Sequence, residues 1–233
     1  LGSLLYVIAT LVTLFGTRVA GSQQSGGGLS VLSALWNGFQ LLRQERTLQG
    51  LMAVTVVWNV WGFPFFSMIP VMGKQTLGLT PLPIGVLMSA EGMGALAGAL
   101  LILAFAELRH YRYLYTYGTF LCLFMAFAFS QVASFLPAAG FLFLAGIGAG
   151  FFSAMQGALV MLCTPVEARG RMMGVLSVCI GLSTVGFLNI GLLGQWFGAE
   201  LAIVICTAEG VFALLLVCRL WPEVLAPQTL PHH

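Results

Sequence analysis

Residues 164–174 read Thr-Pro-Val-Glu-Ala-Arg-Gly-Arg-Met-Met-Gly. Glu167, Arg169 and Arg171 place three charges within five residues. The chain is uncharged over residues 113–166 before them and over 172–199 after them. A charged hairpin between two long apolar runs is the connector between two membrane-spanning helices. Two arginines on so short a loop mark it as cytoplasmic, because basic residues accumulate on that side. Pro165 ends the preceding helix, since proline has no N–H to continue the ladder.

The composition carries the same message. Of 233 residues, 59% are hydrophobic and 7% charged, against roughly 25% charged in a soluble domain. The chain therefore reads as an all-α integral membrane protein. A net charge of +2 gives no reason to expect a nucleic-acid partner. The five cysteines, Cys122, Cys163, Cys179, Cys206 and Cys218, form no C-x-x-C pair and no zinc spacing. No aspartate is present, and His110, His232 and His233 lie at loops and tail. The sequence thus points to no catalytic centre, no metal and no cofactor.

Outward from the charged hairpin, the apolar runs give the layout. Residues 1–16 read as the end of a transmembrane helix whose start lies upstream of the chain. Residues 17–46 read as a cytoplasmic linker with an amphipathic surface helix. In that helix Leu29, Leu32, Leu35, Trp36, Phe39 and Leu42 recur at helical spacing, with Ser33, Asn37, Gln40, Arg43 and Gln44 opposite. Residues 47–220 hold six spans: 47–73, 83–106, two within 113–166 divided at Pro137 and joined near Ser134, then 172–194 and 200–220. Pro64 is expected to kink or break the first of these. Turns are expected at 74–82, 107–112 and 195–199. Residues 221–233 read as a cytoplasmic, Pro-rich tail.

Strict alternation of these spans tests the layout. With Arg169 and Arg171 inside, so are Arg18, Arg43, Arg46, Arg109, Arg112 and Arg219. Of nine basic residues only Lys74 falls outside, a strong positive-inside bias.

The small and polar residues within spans carry the rest. Gly92-Met-Gly94-Ala-Leu-Ala97 matches the dinucleotide fingerprint, but no strand precedes it and a membrane span has no room for the βαβ unit. Gly94 and Gly98, Gly146 and Gly150, and Ser153 and Gly157 are each four apart, and such small-xxx-small pairs let helices approach closely in lipid. Glu91 lies about 12 Å into its span, at 1.5 Å per residue, near the middle of a core roughly 30 Å thick. A carboxylate at that depth is a functional candidate by default; the alternative is a protonated Glu satisfied by a neighbouring helix. Glu209 lies at similar depth in the last span. Asn59, Gln156 and Asn189 suit hydrogen bonds from helix to helix.

Pro165-x-Glu167-x-Arg169-Gly170-Arg171-x-x-Gly174, between two glycine-rich spans, resembles the loop between the tenth and eleventh helices of the major facilitator superfamily. A surface helix followed by six spans resembles that family's central loop and second six-helix half. Residues 77–101, with Gly85 and the Gly92, Gly94, Gly98 series, resemble its eighth helix. Within the family, the resemblance is to multidrug and siderophore exporters of the enterobactin-exporter type. One segment departs from the pattern: Glu107-Leu-Arg109-His-Tyr-Arg112 stands where the family often has Gly-x-x-x-Asp-Arg-x-Gly-Arg-Arg.

The resemblance implies a six-helix bundle plus the end of one preceding helix, forming the C-terminal half of a secondary transporter. It implies proton-coupled export of small amphipathic molecules from a bacterial inner membrane. The partners would be the lipid bilayer, a small-molecule substrate, protons and the N-terminal half. Thr55 and Asn59 on one span, and Phe152 and Gln156 on another, become the substrate-cavity candidates. Glu91, flanking that cavity, becomes the leading proton-coupling candidate, ahead of Glu209 on a peripheral span. Glu107, Arg109, Arg112, Glu167, Arg169 and Arg171 become a cytoplasmic gate, the two loops pairing across the bundle. A seven-helix receptor, N-terminus out and C-terminus in, is the alternative that fits the span count. An intramembrane enzyme is a weaker one, for want of His/Asp chemistry.

The layout predicts a labelling pattern. Single cysteines at Arg109 and at Gln131, in a cysteine-free full-length protein, are expected to react with impermeant thiol reagents from opposite faces, Arg109 from the cytoplasm. Reaction of both from one face would contradict the span between them.

Overall fold

The computed structural model describes residues 28–227. The expected span at 1–16, the linker up to residue 27, Arg18, and the tail residues from 228 on, with His232 and His233, lie outside them. Among the described residues the chain is helical, with no strand. The packing described here is that of the unit beginning at Ala34.

Helix α1 (Gly28–Gln44) is the expected amphipathic helix. Its contact with the bundle runs through a small residue: Gly38 sits against the Arg171 carbonyl and the Val175 side chain, and Leu35 lies over Gly174. Trp36 and Phe39, placed on the apolar face by the sequence pattern, stay exposed.

The first span covers Arg46–Gln75 and is not uniform. It begins as α2 (Arg46–Val57), passes through a π turn at Trp58–Gly62 and a 3-10 stretch at Phe63–Met68, and resumes as α3 (Ile69–Gln75). Pro64 explains the change. It cannot donate to the carbonyl four residues back, that of Val60, so the α ladder cannot pass through it. The helix widens before the proline and tightens after it, and Phe63 N–H reaches back to the Trp58 carbonyl. The span is bent, as the proline requires, and stays continuous.

Three spans follow with bounds close to those expected: α4 (Pro81–Phe105), α5 (Tyr111–Ser130) and α6 (Phe135–Leu162). Ser134 precedes α6 at the N-cap position and Pro137 lies in the first turn, where a missing N–H costs little. The charged hairpin is tighter than expected. Val166–Ala168 form a 3-10 turn, and α7 (Arg169–Gly181) already begins at Arg169. Arg169 and Arg171 thus stand on the first turn of a helix, not in a loop.

The remaining chain, α8 (Ser183–Leu220), follows after a break at Leu182. The apolar helical stretch Val166–Leu220 has 55 residues and would run about 80 Å if straight, against a core of roughly 30 Å. It turns back at Gly198, whose φ of 82° is open to glycine and strained for other residues. The turn is proved by contact: Asn189 Nδ2 donates to Glu209 Oε2 at 3.0 Å, across a separation that would be about 30 Å on a straight helix. The turn falls within residues 195–199, as the sequence indicates. Counting both arms of this turn, the described residues hold six apolar helical segments.

Glycines set the closest contacts. A Cβ at Gly94 would fall on the Phe143 carbonyl, at Gly98 on Ile147, at Gly146 on Glu91 and at Gly150 on Ala95. The two expected small-residue pairs therefore pack against each other, α4 on α6, backbone to backbone. The opposite side of α6 does the same with α5, through Gly148 and Gly118. The third pair does not behave so: Gly157 faces open space, and Ser153 is exposed.

One end of the bundle collects the basic residues. Arg46 pairs with Glu223 at 3.0 Å, and Arg112 Nη1 donates to the Glu223 carbonyl at 3.1 Å. Trp221 Nε1 donates to Gln49 Oε1 at 3.0 Å. Lys74 lies at the other end of the first span.

The glycine contacts make a prediction about stability. Gly146→Ala is expected to destabilise by roughly 1–3 kcal/mol or more, because backbone must move to admit the methyl. Gly157→Ala meets nothing and is expected to be neutral or to stabilise by up to about 1 kcal/mol. Denaturation in detergent micelles reads the order, and the reverse order would contradict the packing.

Candidate functional site

A cavity of about 720 Å³ opens on the face where the first span, α4, α6 and the α7–α8 junction meet. The bent span contributes Trp58, Asn59, Phe63 and Phe66. Helix α4 contributes Glu91, α6 contributes Phe152, Ser153 and Gln156, and the junction contributes Ile180 and Ser183. Glu91 alone among these lining residues is ionisable. It is the eleventh residue of the 25-residue helix α4, half-buried, and its carbonyl faces Gly146 of α6.

The floor is an aromatic stack drawn from three helices. Phe152 lies between Trp58, 4.3 Å away at 15°, and Tyr115 of α5, 4.9 Å away at 17°. Such near-parallel pairs add about 0.5–1.5 kcal/mol each beyond their burial. Behind the stack, the Tyr115 and Thr55 hydroxyls share a hydrogen bond of 2.6 Å. Thr55 Oγ1 also donates to the Leu51 carbonyl at 2.9 Å. This network fixes the rings from the dry side.

Four of the sequence-derived candidates therefore line one cavity: Glu91, Asn59, Phe152 and Gln156. Thr55 does not join them. It is fully buried, one turn before Asn59, with its hydroxyl bonded to that of Tyr115. Asn59 keeps a link to it, Nδ2 donating to the Thr55 carbonyl at 2.9 Å. Gln156 is different: its Nε2 is enclosed with no protein partner. A buried amide donor left unpaired is costly, so a bound molecule or water is its natural partner.

Glu209 lies away from this cavity. Its Oε2 accepts from Trp61 Nε1 at 2.9 Å and from Asn189 Nδ2 at 3.0 Å. Asn189 thus makes the helix-to-helix bond expected of it.

The candidate gate has a more local geometry than expected. Glu107 pairs with Arg109 at 2.8 Å, within its own loop. Arg169 Nε donates to the Met161 and Thr164 carbonyls at 3.1 and 3.4 Å, satisfying the open end of α6. Arg171 Nη2 reaches the Glu167 carbonyl at 3.5 Å. The bonds of Glu107, Arg109, Arg169 and Arg171 are thus local, and Arg112 also reaches the Glu223 carbonyl.

Sequence reasoning passed over Trp58, Phe63 and Phe66, which share the cavity wall with Asn59. Their spacing along one helical face was the available signal. It was obscured because almost every residue around them is also large and apolar.

The model of the Major Facilitator Superfamily matches residues 1–184 and 51–231 of the chain. The chain belongs to the major facilitator superfamily. No curated protein matches it. Membership makes it a multi-pass secondary transporter of small molecules, sets aside the seven-helix receptor, and agrees with the helical bundle described above.

The aromatic stack sets an expectation for stability. Phe152→Ala removes the middle ring and is expected to cost about 3–5 kcal/mol, measured by denaturation in micelles. A loss below about 1 kcal/mol would be the size of a surface change and would contradict the stack.

Proposed function

We propose that this chain is the C-terminal bundle of a proton-coupled exporter of small amphipathic molecules, with residues 47–220 as the transporting unit. One observation carries the reading. A single ionisable side chain, Glu91, stands in an aromatic cavity whose other polar groups are amides and hydroxyls. Aromatic walls suit the apolar body of an amphipathic substrate, and few placed polar groups suit its head. Asn59, Phe152 and Gln156 are the substrate contacts in this reading.

The mechanism is alternating access, the two bundles rocking about a midplane site. A charged carboxylate is expensive to enclose in a closing apolar cavity, and a protonated one is much less so. Glu91 would load a proton on one side and release it on the other, coupling its movement to that of the substrate. The basic end of the bundle, with Arg46, Arg109, Arg112, Arg169, Arg171 and Arg219, faces the cytoplasm by the positive-inside bias. That orientation places the C-terminus in the cytoplasm, and the reading sets the transporter in a bacterial inner membrane. The residues of the charged hairpin, Glu167 included, serve orientation and the shape of that end.

Glu91→Gln keeps the shape of the side chain and removes the titrating proton. In full-length transporter reconstituted in liposomes, the variant is expected to bind ethidium within about threefold of wild type and to lose about 90% or more of pH-driven ethidium transport, since an intramembrane carboxylate of this kind serves as a proton relay. Transport at the wild-type rate would assign Glu91 a structural role.

A further inference from the structure

The bent segment of the first span is held from the side away from the cavity. Gly186 of α8 lies against the Val60 carbonyl, the acceptor that Pro64 leaves without its usual donor. Gly210 lies against the Trp61 side chain, and Cys206 Sγ donates to the Trp61 carbonyl at 3.6 Å. Both arms of α8 thus grip residues 60–64. The grip is tied at one point, where Trp61 Nε1 and Asn189 Nδ2 both donate to Oε2 of Glu209. Three crossings meet in that one oxygen.

A π turn followed by a 3-10 stretch has poorer internal hydrogen bonding than an α-helix, so its shape depends on what surrounds it. The same segment presents Trp58, Asn59, Phe63 and Phe66 to the cavity. We propose that Glu209 is a positioning residue, whose single oxygen locks the bend and so sets the substrate-facing wall of the cavity. The inference rests on reading that cavity as the substrate site. It differs from a coupling role in one testable respect. Both bonds land on Oε2, so the carbonyl oxygen of a glutamine can take both, and the negative charge is dispensable.

The test uses full-length transporter in micelles, with hydrogen exchange over residues 58–66 and ethidium affinity as readouts. Glu209→Leu is expected to speed exchange there and to weaken ethidium binding, each by about tenfold, the size of two lost hydrogen bonds. Glu209→Gln is expected to stay within about twofold of wild type in both, since the bond count is preserved. Trp61→Phe removes one donor, keeps the ring, and is expected to fall between the two, which carries the test if the leucine variant does not fold. Unchanged exchange in Glu209→Leu and Trp61→Phe, or a glutamine variant as damaged as the leucine one, would overturn the proposal. Ethidium affinity lost in Asn59→Ala but kept in Glu209→Leu would also overturn it. Affinity kept in both Asn59→Ala and Phe152→Ala would instead place the failure in the cavity reading.

Discussion

The architecture depends on backbone meeting backbone where α4 crosses α6. In lipid, helices gain little from hiding apolar side chains, because the lipid tails are equally apolar. What remains is van der Waals contact and polar bonds at short range. Gly94 and Gly98 on α4 and Gly146 and Gly150 on α6 remove the Cβ atoms that would hold the helices apart. Helix α6 repeats the arrangement toward α5 through Gly148. It is thereby fixed between two neighbours, and Phe152, Ser153 and Gln156 are carried on a stiff post. Leu96, Leu100 and Leu103 of α4 remain exposed, away from this crossing.

Against that rigid post stands an irregular helix. Pro64 breaks the α ladder of the first span into π and 3-10 geometry, and Asn59 reaches the cavity while Thr55, one turn before it, stays buried. The cavity lies between a wall fixed by glycine contacts and a wall shaped by a proline and held by α8. Alternating access asks for such a pairing: one element rigid enough to carry a site and another with room to change shape.

Much of this was legible in the residues. The charges punctuated the spans because few charges occur elsewhere, and the glycine pairs announced close crossings. Gly198 fell in the expected turn. Glu91, Asn59 and Gln156, which line the cavity, stood out as polar exceptions in apolar runs, and Phe152 was named through the family resemblance. The rest was hidden for physical reasons. A regular helix places Thr55 and Asn59 on one face, and spacing alone could not show that Tyr115 takes up the Thr55 hydroxyl. Ser153 and Gly157 looked like a packing pair, yet which small residues face a neighbour depends on helix rotation. The arginines near Glu167 were read as setting orientation or forming a gate, and spacing did not show that Arg169 also bonds carbonyls at the end of α6.

The central claim is that Glu91 and the substrate occupy one cavity and that the proton and the substrate affect each other there. Proton release on binding measures this directly. In a weakly buffered micellar solution near the midpoint of the Glu91 titration, saturating ethidium is expected to expel a fraction of a proton, up to about one, per full-length wild-type transporter, by reciprocal linkage. Glu91→Gln is expected to expel none. Ethidium binding that leaves the proton count unchanged in the wild type across that titration, or that releases the same number in Glu91→Gln, would contradict the account.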